Sequence, residues 1–256
     1  MPSLTPSAAH DSKALLRFPG PDYYDVLTWI HQCLRPATYA EIGVYDGSSL
    51  HLAQVSTISI GIDPEPVTGG PWPPNARLFR MSSTEFFERH NLKRKIGGKP
   101  LDFALIDGLH LFEQALEDFD NLERFAAPRS IFAFHDTIPL DRETSSRART
   151  TEFHTGDVWK VIVFLRRFRP DLEIATVLTA PTGLTLVRRL DGGRRQRADP
   201  ALVREVAALD FSYFEQHANR FLGAIPNQRG AVEAFCQNTP VQSISWSAAE
   251  IPCRRR

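Results

Sequence analysis

Cysteine is scarce in this chain: three residues in 256, Cys33, Cys236 and Cys253, odd in number and far apart. That spacing matches neither a disulfide framework nor a zinc-ligand cluster, and it points to a reducing, cytoplasmic setting. No run of about eighteen apolar residues occurs, so no helical membrane span is expected. The N-terminus lacks the basic-then-apolar order of a secretory leader. Excess charge of either sign is missing too: 30 Lys and Arg balance 30 Asp and Glu, and the pI is near 7.1. This gives no reason to expect a nucleic-acid or membrane partner. The expected partner is a small-molecule substrate, with a homo-oligomer left open. No internal repeat is visible. The length suits one domain with appendages.

What the chain does have is concentrated in residues 39–50, Tyr-Ala-Glu-Ile-Gly-Val-Tyr-Asp-Gly-Ser-Ser-Leu. A short apolar strand ends in Glu41, a turn carries Gly43, Tyr45 and Gly47, and a helix is expected to open at Ser48 and Ser49. Glycine serves where backbone turns tightly or approaches a ligand closely, and a helix N-terminus offers unpaired N–H groups. The next apolar run, Ile58–Ile62, ends at Asp63, where a carboxylate can accept hydrogen bonds from two ribose hydroxyls. Tyr45 stands where the dinucleotide fingerprint Gly-x-Gly-x-x-Gly has its second glycine.

Further along, apolar spacing predicts a helix over 21–34, strands at 77–81 and 101–106, helices over 83–90 and 110–125, and a strand at 130–134. The segments 1–19 and 64–76 read as poorly ordered and irregular. Residues 137–156 are rich in Arg, Thr and Ser with no period, as expected of a mobile or functional loop. A helix over 158–168 follows, then runs at 173–178 and 184–189 that read as an antiparallel hairpin, then a helix over 200–223. The alternation predicts an α/β fold: a doubly wound, Rossmann-like, mostly parallel sheet of seven strands closed by that hairpin. Ligands in such sheets bind beyond the carboxyl ends of the strands. Five strand ends deliver Glu41–Gly47, Asp63, Ser82, Asp107 and His135-Asp136 to that edge.

Glu41-x-Gly43-x-x-x-Gly47 followed by Asp63 resembles the cofactor site of class I S-adenosylmethionine-dependent methyltransferases. With Ile106-Asp-Gly-Leu-His110, Phe134-His-Asp-Thr137 and Gly156-Asp-Val-Trp-Lys160, the chain resembles a bacterial branch of that class over roughly residues 20–190. The branch includes the metal-dependent sugar O-methyltransferases of macrolide biosynthesis and the cephalosporin-hydroxylase-like group, and the glycine turn is similar to that of catechol-type O-methyltransferases. The resemblance implies a flexible segment at 1–19, a cofactor-binding domain at 20–190 and a helical extension and tail at 191–256. It implies S-adenosyl-L-methionine held by Glu41, Gly43, Tyr45, Gly47, Ser48, Ser49, Asp63, Ser82 and Asp107. It also implies a divalent metal on Asp107, His135 and Asp136, and a catalytic pair of Asp107 with His110 as general base. A histidine at 135, where the branch has an acidic residue, removes one negative charge from a site suited to a hard cation. That leaves room for zinc, iron or manganese, or for no metal.

The implied reaction is methylation of a hydroxyl on a sugar or other natural product, an in-line displacement that needs alignment and proton removal. Two other classes stay open on the sequence: a cofactor-binding regulatory or assembly protein without catalysis, and a metal-dependent oxygenase or hydrolase on the same fold. A nicotinamide dehydrogenase fits least, given Tyr45 and the closing hairpin. Structural readings of single residues also stand beside the functional ones: Ser82 as a helix cap, Trp159 as core, and Arg142, Arg147 and Arg149 as a solvated loop.

Overall fold

The computed structural model describes residues 7–67, 73–193 and 197–246. Parts of the expected flexible segment (1–6), irregular loop (68–72) and C-terminal extension (194–196 and 247–256, with Cys253) lie outside the described residues. Eight strands form one sheet: β1 Thr38–Ile42, β2 Ile58–Ile62, β3 Ala76–Phe79, β4 Leu101–Ile106, β5 Ala126–Phe134, β6 Glu173–Val177, β7 Leu184–Arg188 and β8 Ala224–Ile225. Their order is β3-β2-β1-β4-β5-β7-β6-β8. All pairings are parallel except those of β7 with β5 and β6. The alternating α/β sheet closed by an antiparallel hairpin is thus the fold observed, with one strand more than the seven expected. The extra strand is β8, two residues that extend the edge beside β6.

The helices are α1 Ala8–Arg17, α2 Tyr23–Leu34, α3 Ser83–Arg89, α4 Leu92–Lys95, α5 Phe112–Glu123, α6 Trp159–Phe168, α7 Pro200–Ala207, α8 Phe211–Phe221 and α9 Arg229–Cys236. Central strands such as β1 are buried along their whole length, as a sheet covered on both faces requires. One core packs Val26, Leu27 and Ile30 of α2 and Val232 and Phe235 of α9 against the sheet. The other packs Leu116 and Phe119 of α5, Ile162 of α6 and Phe214 of α8 on the opposite face.

Four local expectations change. Residues 8–17 are helical, not poorly ordered: Ala14 and Phe18 are buried, Lys13 pairs with Asp141 at 2.7 Å, and Arg17 donates to the Pro139 carbonyl at 3.1 Å. No α-helix follows the glycine turn; only a single 3-10 turn forms at Leu50–Leu52. The eight residues between Ser49 and Ile58 would rise about 12 Å as an α-helix, short of the roughly 16 Å a five-residue strand spans, so the chain stays partly extended to return to β2. The helix expected over 200–223 is two, broken before Asp210, whose carboxylate caps α8 by accepting from the Tyr213 N–H at 3.2 Å. The segment 137–156 is built into the molecule, with Ile138, Leu140, Thr144, Thr151 and Thr155 all buried.

Candidate active site

The carboxyl ends of β1, β2, β4 and β5 lie side by side, so the turns that follow them share one rim. Gly43 begins the first turn at φ +83, and a β-carbon added there would lie 1.9 Å from the Asp107 carbonyl oxygen. The glycine is needed because the end of β4 sits directly against it, which locks the two turns together. Tyr45 (φ +47) and Gly47 (φ +80) complete the reversal. Asp63 ties the turn down: one carboxylate oxygen accepts from the N–H groups of Val44 and Tyr45 at 2.8 and 2.9 Å, the other from the Glu65 N–H at 2.7 Å.

Glu41 lies behind this turn, wholly buried. It accepts hydrogen bonds from the Tyr39 hydroxyl at 2.6 Å and the Ser49 hydroxyl at 2.5 Å. Burial pushes its carboxyl up to about 8, against the pull of those two donors. Ser48 is exposed, and its N–H donates to Asp46 at 2.9 Å. Ser82 caps α3 by accepting from the Glu85 N–H at 3.2 Å. Of the residues expected at the cofactor, Gly43, Tyr45, Gly47, Ser48, Asp63 and Asp107 sit in the adjoining turns. Glu41 and Ser49 sit inside them as support, and Ser82 serves as the helix cap.

Beside the turn, Asp107, His110, His135 and Asp136 converge. His110 Nε2 is 2.9 Å from Asp136 Oδ2 and 3.4 Å from Asp107 Oδ1. His135 Nδ1 is 3.3 Å from Asp107 Oδ1 and 3.5 Å from Asp136 Oδ2. Burial alone would lower both imidazoles, but the two carboxylates overcome it: His110 is held well above its ordinary value and His135 is raised to about 10. Burial would raise Asp136; His110 and His135 hold it well below instead. The carboxylates thus favour the protonated form of both imidazoles.

His110 is oriented from its far side. Its Nδ1 lies 2.6 Å from the His154 carbonyl, so Nδ1 carries the proton and Nε2 faces the carboxylates. Ligand atoms of Asp107, His110 and Asp136 lie within 4.8 Å of one another, a spacing that could hold a metal ion. The expected metal set named His135 in place of His110. His135 Nδ1 is buried and points at the same carboxylates, at 3.3 and 3.5 Å. The histidine expected as base thus stands with its Nε2 among the carboxylates, turned inward by the His154 carbonyl. Asp136 has a left-handed backbone (φ +57) and accepts from the Thr182 hydroxyl at 2.8 Å.

Several residues of the site went unassigned in the sequence. Asp157, which is buried, accepts from the Phe112 N–H at 2.8 Å, Arg147 at 2.7 Å and Lys160 at 3.0 Å, and so clamps the loop to the start of α5. Gly156 (φ +56) lets this loop pass where a β-carbon would meet the His110 carbonyl at 1.8 Å. The Gly156-Asp157 pair was the available signal. His154 stacks on His110 with centroids 5.7 Å apart, and burial lowers it, so it stays neutral. Tyr23 packs on His135, centroids 4.2 Å apart; Tyr23 and Thr182 had no local signal. Trp159 is core, its indole N–H donating to Ser145. Arg142, Arg147 and Arg149 are engaged with Ser212, with Glu113 and Asp157, and with the Glu152 carbonyl.

Residues 40–137 match the family model described as a methyltransferase domain, and this stretch contains Glu41, the glycine turn, Asp63, Asp107, His110 and His135-Asp136. No curated protein matches the chain. Among solved structures, the O-methyltransferase from Bacillus cereus in complex with SAH is 11% identical, with a TM-score of 0.48 over 70% of this chain and 87% of that one. The O-methyltransferase TomG from Streptomyces achromogenes, involved in tomaymycin synthesis and in complex with SAM, is 15% identical, with a TM-score of 0.44 over 72% and 90%. Among the described residues no helix is long and apolar enough to cross a membrane.

Proposed function

We propose that the chain transfers a methyl group from S-adenosyl-L-methionine to a hydroxyl of a small molecule, such as a sugar or other natural product. One observation carries this reading: a half-buried cluster of two carboxylates and two imidazoles stands directly against the glycine turn, the two joined by the close approach of Gly43 to Asp107. A donor on the turn and a hydroxyl at the cluster are then side by side, as an in-line displacement needs. The match of residues 40–137 to a methyltransferase domain supports the same reading.

Asp107, His110 and Asp136 fit a divalent cation on the chemistry of their donors. The carboxylates supply charge, His110 Nε2 faces them with its Nδ1 anchored, and His135 Nδ1 faces the same two carboxylates from the other side. Two carboxylates and an imidazole suit manganese, iron or zinc better than magnesium. A metal bound there lowers the pKa of a coordinated hydroxyl. The protein's own groups do the rest. Asp107 reaches both imidazoles and fixes them relative to the acceptor. With a cation on His110 Nε2 that nitrogen would be unavailable as a base, and the hydroxyl proton would leave to solvent.

Calorimetric titration with S-adenosylmethionine and its demethylated product tests this reading. Binding of both in the micromolar range is expected; a folded protein that binds neither at millimolar concentration refutes it.

A further inference from the structure

The start of α2 brings two tyrosines into the space between the glycine turn and the acidic cluster. That start is held firmly. The Tyr23 N–H donates to the Ala180 carbonyl at 3.0 Å, and Thr179 and Asn227 donate to the Pro21 carbonyl at 2.8 and 2.7 Å. Asp22 and Asp25 form a capping box around the first turn. The Tyr23 ring centroid is 4.2 Å from His135 and 4.1 Å from Tyr24. The three rings form a tilted column, His135–Tyr23–Tyr24, with interplanar angles of 34° and 36°. At the far end the Tyr24 phenol lies within the influence of Tyr23 and Ser48, the latter on the glycine turn. The column therefore runs from the reaction centre to the turn.

A methyl group leaving a donor on the turn for a hydroxyl at Asp107 and Asp136 crosses beside this column. Tyr23 is engaged by His135 and Tyr24, so the half-buried Tyr24, at the end of the column by the turn, is the ring placed to meet a ligand. Asp46, which is exposed on the turn, and Asp107 act on the Tyr24 phenol. Burial, with those carboxylates, keeps its phenol above the ordinary range, so the ring is neutral. A neutral aromatic face with carboxylates nearby attracts a cation. The reaction changes the charge at this place. The S–CH3 bond breaks with its electron pair staying on sulfur, an O–CH3 bond forms, and the acceptor proton leaves to a base. A cationic sulfonium becomes a neutral thioether.

We propose that Tyr24 recognises the cofactor's sulfonium and so makes the site prefer S-adenosylmethionine over S-adenosylhomocysteine. This rests on the methyltransferase reading above. Both compounds are titrated calorimetrically into the full chain and its variants. Tyr24→Leu is expected to weaken S-adenosylmethionine about tenfold while leaving S-adenosylhomocysteine within about twofold; retained binding of the second ligand reports that the variant is folded. Tyr24→Phe keeps the ring and is expected to keep the ratio of the two affinities within about threefold of wild type. Should Tyr24→Leu fail to fold, Tyr24→Trp decides: its ratio equals or exceeds that of wild type. Equal losses for both ligands, an unchanged ratio in Tyr24→Leu, a Tyr24→Phe as impaired as Tyr24→Leu, or a lowered ratio in Tyr24→Trp overturns the assignment. Wild-type protein that binds neither ligand refutes the functional reading itself, whereas binding of both with a ratio insensitive to Tyr24→Leu refutes only the role of this tyrosine.

Discussion

Replacing Gly43 by alanine tests whether the two halves of the site are locked together by backbone contact. At φ +83 an alanine pays for a left-handed conformation, about 1–2 kcal/mol. The new methyl would also lie 1.9 Å from the Asp107 carbonyl oxygen and 2.8 Å from the Gly108 α-carbon. Neither atom is the end of a flexible side chain, so the β1 and β4 turns must separate, and the total reaches about 3–5 kcal/mol. For a chain of this size that lowers the Tm by roughly 6–20 °C. Gly98 supplies the control. It has a similar φ of +76 but nothing within 4 Å of an added β-carbon. Gly98→Ala should therefore cost only the conformational share, about 1–2 kcal/mol. Thermal melts by circular dichroism give both values. Equal Tm losses in the two variants would refute the close approach as the reason for the glycine.

Three further outcomes follow from the geometry. Asp157→Asn leaves Lys160, which is 6% exposed, without its buried counter-ion at 3.0 Å, and should cost about 3 kcal/mol in a urea melt; Glu113→Gln, at the exposed end of the same Arg147 network, should cost about 0.5 kcal/mol or less. Glu41 titrates at about 8 when folded but near 4.5 when solvated, so the folded state binds the extra proton between those values and stability falls as pH rises through that window. Glu41→Gln should flatten this slope between pH 5 and 8, and a slope that persists would show that another group causes it. Manganese at about a hundred times its Kd should raise the Tm of metal-stripped protein by the equivalent of about 2.7 kcal/mol. His110→Ala should abolish that rise and His135→Ala should keep most of it, an order opposite to a site built on Asp107, His135 and Asp136.

The legible part of this molecule was the part governed by local pattern. Apolar runs marked β1, β2, β4 and β5, and the polar residues that end them were correctly assigned to one edge, because a parallel sheet leaves little choice about where strand ends point. The closing hairpin was legible from its two runs around Pro181 and Gly183. What stayed hidden depended on distant partners. β8 is two residues long and exists only because β6 offers an edge at Thr176 and Val177. The helix α1 has one buried position inside it, Ala14, and gains its place from contacts to Pro139–Asp141, over a hundred residues away. Asp63 drew attention as a ribose ligand, yet three backbone N–H groups already bond it, a role that any carboxylate after a strand can serve.

The convergence of His110 and His135 on the same two carboxylates shows why such a site is hard to assign from a motif. Spacing alone favours His135, which adjoins Asp136 in sequence. Adjacent residues at a strand end point to opposite sides, however, and the pair reach one place only because Asp136 takes a left-handed backbone held by Thr182. His110 reaches the same place by another route. Its nitrogen is chosen by the His154 carbonyl, and the loop bearing that carbonyl can lie so close only because residue 156 is glycine and Asp157 clamps it to α5. A segment that looks like a polar lid by composition is thus a fixed wall. With Thr151 and Thr155 buried and Arg147 tied to Asp157, the wall sets the tautomer of the histidine it backs. Its packing is what lets a neutral backbone carbonyl outweigh sequence adjacency in selecting the nitrogen that faces the carboxylates.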